Sequence, residues 1–198
     1  MKLNLFFVIS TLFMISCGGD AANPNAQTSG NEIDLSGYEV RIVPQSDWTH
    51  VSRNQLGEDL YEEGYIKNGK KEGTWTTYYP ETGYIKSIAS YTNGILMGPY
   101  IEFDERGRLT RQIGYENNVL SGKYGEFKNG RPVRTMEYLN GLLDGMLREY
   151  NNKSQVVKEA SYRKNQLDGK VSHYNDEGKL ILEYIYKNGE KVSGGIIE

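Results

Sequence analysis

The sequence predicts an all-β fold, a repeat array of antiparallel β-hairpins forming one extended single-layer sheet. Three observations predict it. The 198 residues hold 23 Gly and 16 Tyr within an apolar share of 37%. That mix suits short strands and tight turns, because Gly supplies positive φ at little cost and aromatic rings suit a pleated surface. A turn-and-aromatic motif recurs every 23–25 residues from Ile66 onward. Within each copy the alternation of side chains sets acid against base and ring against β-branched residue across a hairpin.

The chain opens with a charged Lys2 and an apolar run from Leu5 to Ile15, broken only by Ser10 and Thr11. The run has the length of a signal-peptide core and is short for a bilayer span. It ends in Met14-Ile15-Ser16-Cys17, followed by Gly18-Gly19-Asp20. This ending resembles the bacterial lipobox, with Met14 where Leu is usual. The resemblance implies a cleaved signal peptide over 1–16 and a thioether-linked diacylglycerol on Cys17, the new and acylated N-terminus. Two or three acyl chains anchor stably where one binds reversibly. Gly18 stands where an inner-membrane retention signal often has Asp, which implies the outer membrane of a Gram-negative bacterium. Residues 17–37 read as a flexible tether with little to bury, about 20 residues spanning on the order of 25 Å.

Residues 38–64 form a degenerate first repeat, with Trp48 near its start, Gly57 at its turn and Tyr61 on its return strand. The regular copies occupy 65–194 and a tail of 195–198 follows. They begin at Ile66, Tyr91, Tyr115, Tyr138, Tyr162 and Tyr186, at intervals of 25, 24, 23, 24 and 24 residues. Each complete copy reaches a glycine at its eighth position (Gly73, Gly98, Gly122, Gly145, Gly169). It then carries an apolar or aromatic pair: Trp75/Tyr78, Tyr100/Phe103, Tyr124/Phe127, Leu147/Tyr150 or Val171/Tyr174. Gly83, Gly107, Gly130 and Gly178 mark a second turn in four of the five. Two turns in 24 residues give one hairpin per repeat, and glycines this frequent would destabilise a helical repeat. The pattern Tyr91-x-Asn-Gly94-x-x-x-Gly98-x-Tyr100 resembles the MORN-variant repeat of bacterial proteins labelled YwqK-family antitoxins, a likeness that covers about residues 60 to 194. It implies a MORN-like meander, and a membrane-tethered antitoxin or immunity protein among the possible functions.

In the hairpin around Gly107, pairing Glu102 with Arg111 sets Phe103 against Thr110 and Tyr100 against Ile113. The same rule pairs Glu126 with Arg134, Phe127 with Val133, Glu149 with Lys158, Tyr150 with Val157, His173 with Leu182 and Tyr174 with Ile181. Alternation then gives two faces. One carries the repeat-leading tyrosines with Trp75, Tyr100 and Tyr124. The other carries Tyr78, Phe103, Phe127, Tyr150 and Tyr174 among more polar neighbours. A single sheet cannot bury both, and a long apolar stripe left exposed marks an interaction surface. Trp75, Tyr100, Tyr124, Phe103, Phe127 and Tyr150 are the candidate binding surface. The strand around Leu180–Tyr186 is an open edge unless the segment Gly194-Gly195-Ile196-Ile197 covers it.

No catalytic constellation accompanies this pattern. The column Glu102, Glu126, Glu149 has acids roughly 10 Å apart, each with its own basic partner, which fits a salt-bridge ladder better than paired catalytic acids. His50 and His173 are far apart, and one cysteine permits neither an intramolecular disulfide nor a thiolate cluster. Metal and cofactor sites are not expected. Residues 17–64 carry 2 basic and 9 acidic side chains and residues 65–194 carry 20 and 16. The signs interleave, so a nucleic-acid patch is not expected. The function expected is a non-enzymatic, lipid-anchored envelope protein binding another macromolecule, most simply a protein and in a narrower version a toxin. Glycan binding, or less readily glycan hydrolysis, is the alternative from a different class.

Overall fold

Fifteen antiparallel strands joined in sequence order build one open sheet in the computed structural model, which describes residues 32–55 and 59–197. The signal segment, Cys17 and Gly57 lie outside the described residues. The strands are β1 (Glu39–Ile42), β2 (Thr49–Gln55), β3 (Asp59–Lys67), β4 (Lys70–Tyr78), β5 (Ile85–Thr92), β6 (Ile95–Phe103), β7 (Leu109–Glu116) and β8 (Val119–Lys128). They continue as β9 (Arg131–Leu139), β10 (Leu142–Leu143), β11 (Gly145–Tyr150), β12 (Val156–Arg163), β13 (Gln166–Tyr174), β14 (Leu180–Lys187) and β15 (Glu190–Ile196). Every regular element among the described residues is a strand. The all-β, single-layer meander follows from the sequence as expected.

Local chemistry fixes the turns. The two central residues of the tight turns lie at positive φ: Asn68-Gly69, Asn93-Gly94, Asn117-Asn118, Asn140-Gly141, Lys164-Asn165 and Asn188-Gly189. These are type I′ hairpin turns, whose twist matches that of the strands and which Asn and Gly tolerate best. They also stack on one another. Gly94, Asn118, Gly141, Asn165 and Gly189 each donate their backbone N–H to a carbonyl of the preceding repeat, at 2.8–3.0 Å. Lys164 is the exception in the series, a long side chain held at φ 49°. Lys164→Asn should therefore raise stability by about 0.5–1 kcal/mol by relieving left-handed strain. Urea unfolding midpoints check this.

The eighth-position glycine is a bulge residue rather than a turn residue. Ile113 pairs with Tyr124 and Tyr115 with Leu120, so β8 carries extra residues around Gly122, whose φ is 88°. The same irregularity recurs at Gly98, Gly169 and Gly73. At Gly145, with φ 131°, it separates β10 from β11. A second bulge follows each far turn, on the returning strand. The expected pairs Glu102–Arg111, Glu126–Arg134, Glu149–Lys158 and His173–Leu182 are all present. One residue further the register slips: Phe103 meets Leu109, Phe127 meets Pro132, Tyr150 meets Val156 and Tyr174 meets Leu180. Simple counting from the acid–base pair misses that extra residue.

The core is a single row running across the sheet. Trp75 pairs with Ala89, Ala89 with Tyr100, Tyr100 with Ile113, Ile113 with Tyr124 and Tyr124 with Met136. Leu147, Ala160 and Val171 carry it on, and all are buried. Large and small alternate, and the largest ring, Trp75, sits between Gly64 and Ala89. A second row sets tyrosine against leucine: Tyr91–Leu96, Tyr115–Leu120, Tyr138–Leu143 and Tyr162–Leu167.

Two expected boundaries move. Residues 33–37, assigned to the tether, pack on the first repeats: Ile33 and Leu35 lie against the core and the Ile33 N–H reaches the Gly69 carbonyl at 2.8 Å. Their apolar side chains supply the burial that the upstream Gly- and Asn-rich residues lack. Tyr38 completes this strap, its hydroxyl donating to Glu62 and its ring meeting Trp75 edge-on at 6.5 Å. At the other end β15 runs to Ile196, into the expected tail, and covers β14.

Candidate functional site

The candidate residues fall on opposite sides of the sheet. Trp75, Tyr100 and Tyr124 point to the core side and are only 3%, 5% and 8% exposed. They build the core and have almost no surface to offer a partner. Phe103, Phe127 and Tyr150 point to the other side and are half-buried. The six residues therefore lie on the two faces that strand parity gives them, and the face with Trp75, Tyr100 and Tyr124 is the buried one.

On this outer face the aromatic row follows a rule. Each hydroxyl-bearing ring leans back over the preceding strand to the residue fifteen positions earlier. Tyr78 donates to Glu63 at 2.5 Å, Tyr174 donates to Glu159 at 2.9 Å, and the Tyr150 and Thr135 hydroxyls share a bond of 3.1 Å. At the two middle members the hydroxyl is gone, and Ile88 and Gln112 stand fifteen positions before Phe103 and Phe127. The Phe127 ring lies over Gly125 instead, where an added Cβ would come within 2.8 Å of it. The missing side chain leaves a pit of ≈ 200 Å³ bordered by Gln112, Phe127, Met146 and Arg148.

Beside this row, at the far turns, a cleft of ≈ 620 Å³ is lined by Arg108, Lys128, Arg131, Val133, Tyr150 and Asn152 among others, with no acid among its lining residues. Arg108 is held by Asp104 at 2.7 Å. Arg131 donates to the Asn152 carbonyl at 3.0 Å. Neither Lys128 nor Arg131 has a salt-bridge partner among the described residues. Val133 is 41% exposed. The cleft is thus positive, with an aromatic and aliphatic wall. Charge counts along the chain could not reveal it, because the three cations come from two separate turns, Arg108 from one and Lys128 and Arg131 from the next far turn.

The glutamate column keeps its expected role. Glu102 takes Arg111 at 2.7 Å, and Glu149 lies 3.7 Å from Arg134 and 3.8 Å from Lys158. The Glu102 contact holds the Arg111 guanidinium well above its usual range. His50 pairs with Glu63 at 3.2 Å, and His173 continues the ladder row opposite Lys158 and Leu182. A fourth group was not foreseen: Glu62, buried, accepts from Arg53 at 2.7 Å and from Tyr38, with Lys71 at 3.9 Å. The Lys71 ammonium sits 3.9 Å above the Trp75 ring, and burial lowers its pKa. This cluster fastens the strap. No group of three or more metal-ligating side chains occurs among the described residues.

No protein-family model matches the sequence, and no curated protein matches it. Solved structures do match, among them the crystal structure of TarM, at 12% identity and a TM-score of 0.30 over 65% of this chain and 20% of that one. The chain spans about a fifth of that protein's length. A likeness of this size carries no inference about activity.

Proposed function

We propose that this chain is a non-enzymatic, lipid-anchored module of the cell envelope that binds another protein through the outer face of its sheet. One observation carries the reading: Tyr150 lines a positive cleft without an acid in its lining, and Phe103 and Phe127 follow it on the same face along β6 and β8. Two strands separate each from the next, so the rings recur roughly every 10 Å. Half-buried rings beside unpaired cations suit a partner offering apolar side chains next to carboxylates. The Cys17 lipid would hold this face at a membrane, and the residues between Cys17 and the strap would set its reach. This is the generic form of the MORN-variant expectation, and a toxin remains one kind of partner within it.

The test is capture of the tagged, lipidated protein after crosslinking in cells, with Cys17→Ala as the anchoring control. That substitution should move the chain from the membrane to the soluble fraction. The captured protein is then titrated against a triple variant, Lys128→Glu, Arg131→Glu and Val133→Glu. All three side chains are exposed, so the fold should persist by circular dichroism while affinity falls at least tenfold. Undiminished affinity in the folded triple variant would overturn the surface assignment.

A further inference from the structure

The acid–base ladder on the core face is interrupted in two hairpins, β4–β5 and β13–β14, and a cleft opens at the first. Hairpins β6–β7, β8–β9 and β11–β12 each set a glutamate against an arginine or lysine at the same level. Arg53 and Glu62 do so between β2 and β3. In hairpin β4–β5 the corresponding pair is Thr77 and Ser87, which are Cα partners with hydroxyls 2.7 Å apart. Two short side chains stand where hairpins β6–β7, β8–β9 and β11–β12 carry two long ones. The space left is part of a cleft of ≈ 410 Å³ whose lining includes Tyr61, Tyr79 and Tyr100, with Glu102 and Asp104 beside them.

The carboxylates of this cleft are already satisfied. Glu102 takes Arg111 through both oxygens, at 2.7 and 2.9 Å, and the Tyr100 hydroxyl at 2.9 Å. Asp104 takes Arg108 at 2.8 Å and the backbone N–H groups of Arg106 and Arg108. The Lys86 ammonium is 5.6 Å from the Tyr79 ring centroid. The Tyr79 hydroxyl donates to the Phe103 carbonyl at 3.0 Å, which fixes that ring. Neither a cation nor an anion finds an unpaired carboxylate or a concentrated positive charge. What remains is ring surface, plus the Thr77–Ser87 hydroxyl pair, which keeps spare lone pairs after its mutual bond.

We propose that this cleft binds an uncharged saccharide unit. The half-buried rings of Tyr61 and Tyr79 offer the apolar surface against which a sugar's C–H face packs, and the Thr77 hydroxyl offers a hydrogen bond that orients one of its hydroxyls. The volume is within the range of small-molecule sites and holds roughly one to two pyranose rings. Thr77 and Ser87 lie on the face opposite Phe127 and Tyr150; Phe103 borders this cleft, while the cations of the protein-binding cleft do not.

The decisive variant restores the repeat: Thr77→Glu with Ser87→Arg, which rebuilds the acid–base pair of the neighbouring hairpins and fills the notch. Because the neighbours fold with that pair, the variant should keep its melting temperature. Thr77→Val is the second variant, removing one hydroxyl at nearly constant volume. Calorimetric titration uses maltotriose, cellotriose and triacetylchitotriose as uncharged probes and trigalacturonate as the charged one. At least one uncharged trisaccharide should bind the full chain. Its affinity should fall at least tenfold in the restored variant and severalfold in Thr77→Val, and should be unchanged in the outer-face triple variant. Absence of binding by all three uncharged probes, binding of trigalacturonate alone, or undiminished binding in the restored variant would each overturn the proposal.

Discussion

Gly64→Ala should destabilise the protein by about 3 kcal/mol, a fall of roughly 6–12 °C in melting temperature. Gly64 is buried on β3, and a Cβ there would lie 2.4 Å from the Trp75 ring. Relief would require the indole to move, and four contacts hold it. Its Nε1 donates to the Tyr65 carbonyl at 2.8 Å, the Lys71 ammonium lies 3.9 Å above it, the Tyr38 ring meets it edge-on and Ala89 pairs with it on the next strand. Displacing the indole also loosens the strap that Tyr38 anchors. A double-mutant cycle isolates the cause. Trp75→Leu is destabilising by itself, but adding Gly64→Ala to it should then cost less than about 1 kcal/mol. An undiminished cost in the Trp75→Leu background would show that the close approach of ring and backbone is not the reason for a glycine at this place.

The same pair shows what was legible in the sequence. Repeat period, strand parity, three acid–base registers and the His173–Leu182 register could be counted from one residue to the next, because local pairing propagates through short turns. The bulges could not. Gly98 and Gly122 look like turn glycines in the sequence, and only the pairing of Tyr91 with Leu96 or Tyr115 with Leu120 reveals the extra residues they accommodate. The strap was missed for another reason. Ile33, Leu35 and Tyr38 belong to no repeat, and their value depends on Trp75 and Glu62, some 24 to 42 residues away. The candidate surface residues divide by strand parity. Phe103, Phe127 and Tyr150 face outward together, while Trp75, Tyr100 and Tyr124 are where a one-row core needs its largest side chains. Thr77 and Ser87 carry no motif at all. They stand out only when the hairpins are laid side by side and an acid–base pair is found wanting.

Alkali should unfold this protein over a narrow range, because its core is built from phenols. Burial, aided by the Glu62 charge, pushes Tyr91 up to about 12. Burial and Glu126 push Tyr124 up to about 12 against the opposing charge of Arg111. Burial and the Glu63 hydrogen bond do the same to Tyr78. Burial raises Tyr38 and Tyr100 further still, with Glu62 and Glu102 adding to it. A phenol whose pKa is raised in the fold keeps its proton there and loses it in the unfolded chain. Its contribution to stability is therefore complete below pH of about 10 and is withdrawn as pH rises through about 12. For the well-buried Tyr91 and Tyr124 the loss is on the order of 2 kcal/mol each, a large part of the stability of a typical domain. Phenolate absorbance and far-UV circular dichroism recorded together from pH 8 to 12.5 test this. Ionisation of these phenols should coincide with loss of the sheet signal in one cooperative step, and partial urea should move both to lower pH together. Complete ionisation of all tyrosines with the sheet signal intact would mean that the rings of the core row are open to solvent, and that the row does not hold the sheet together.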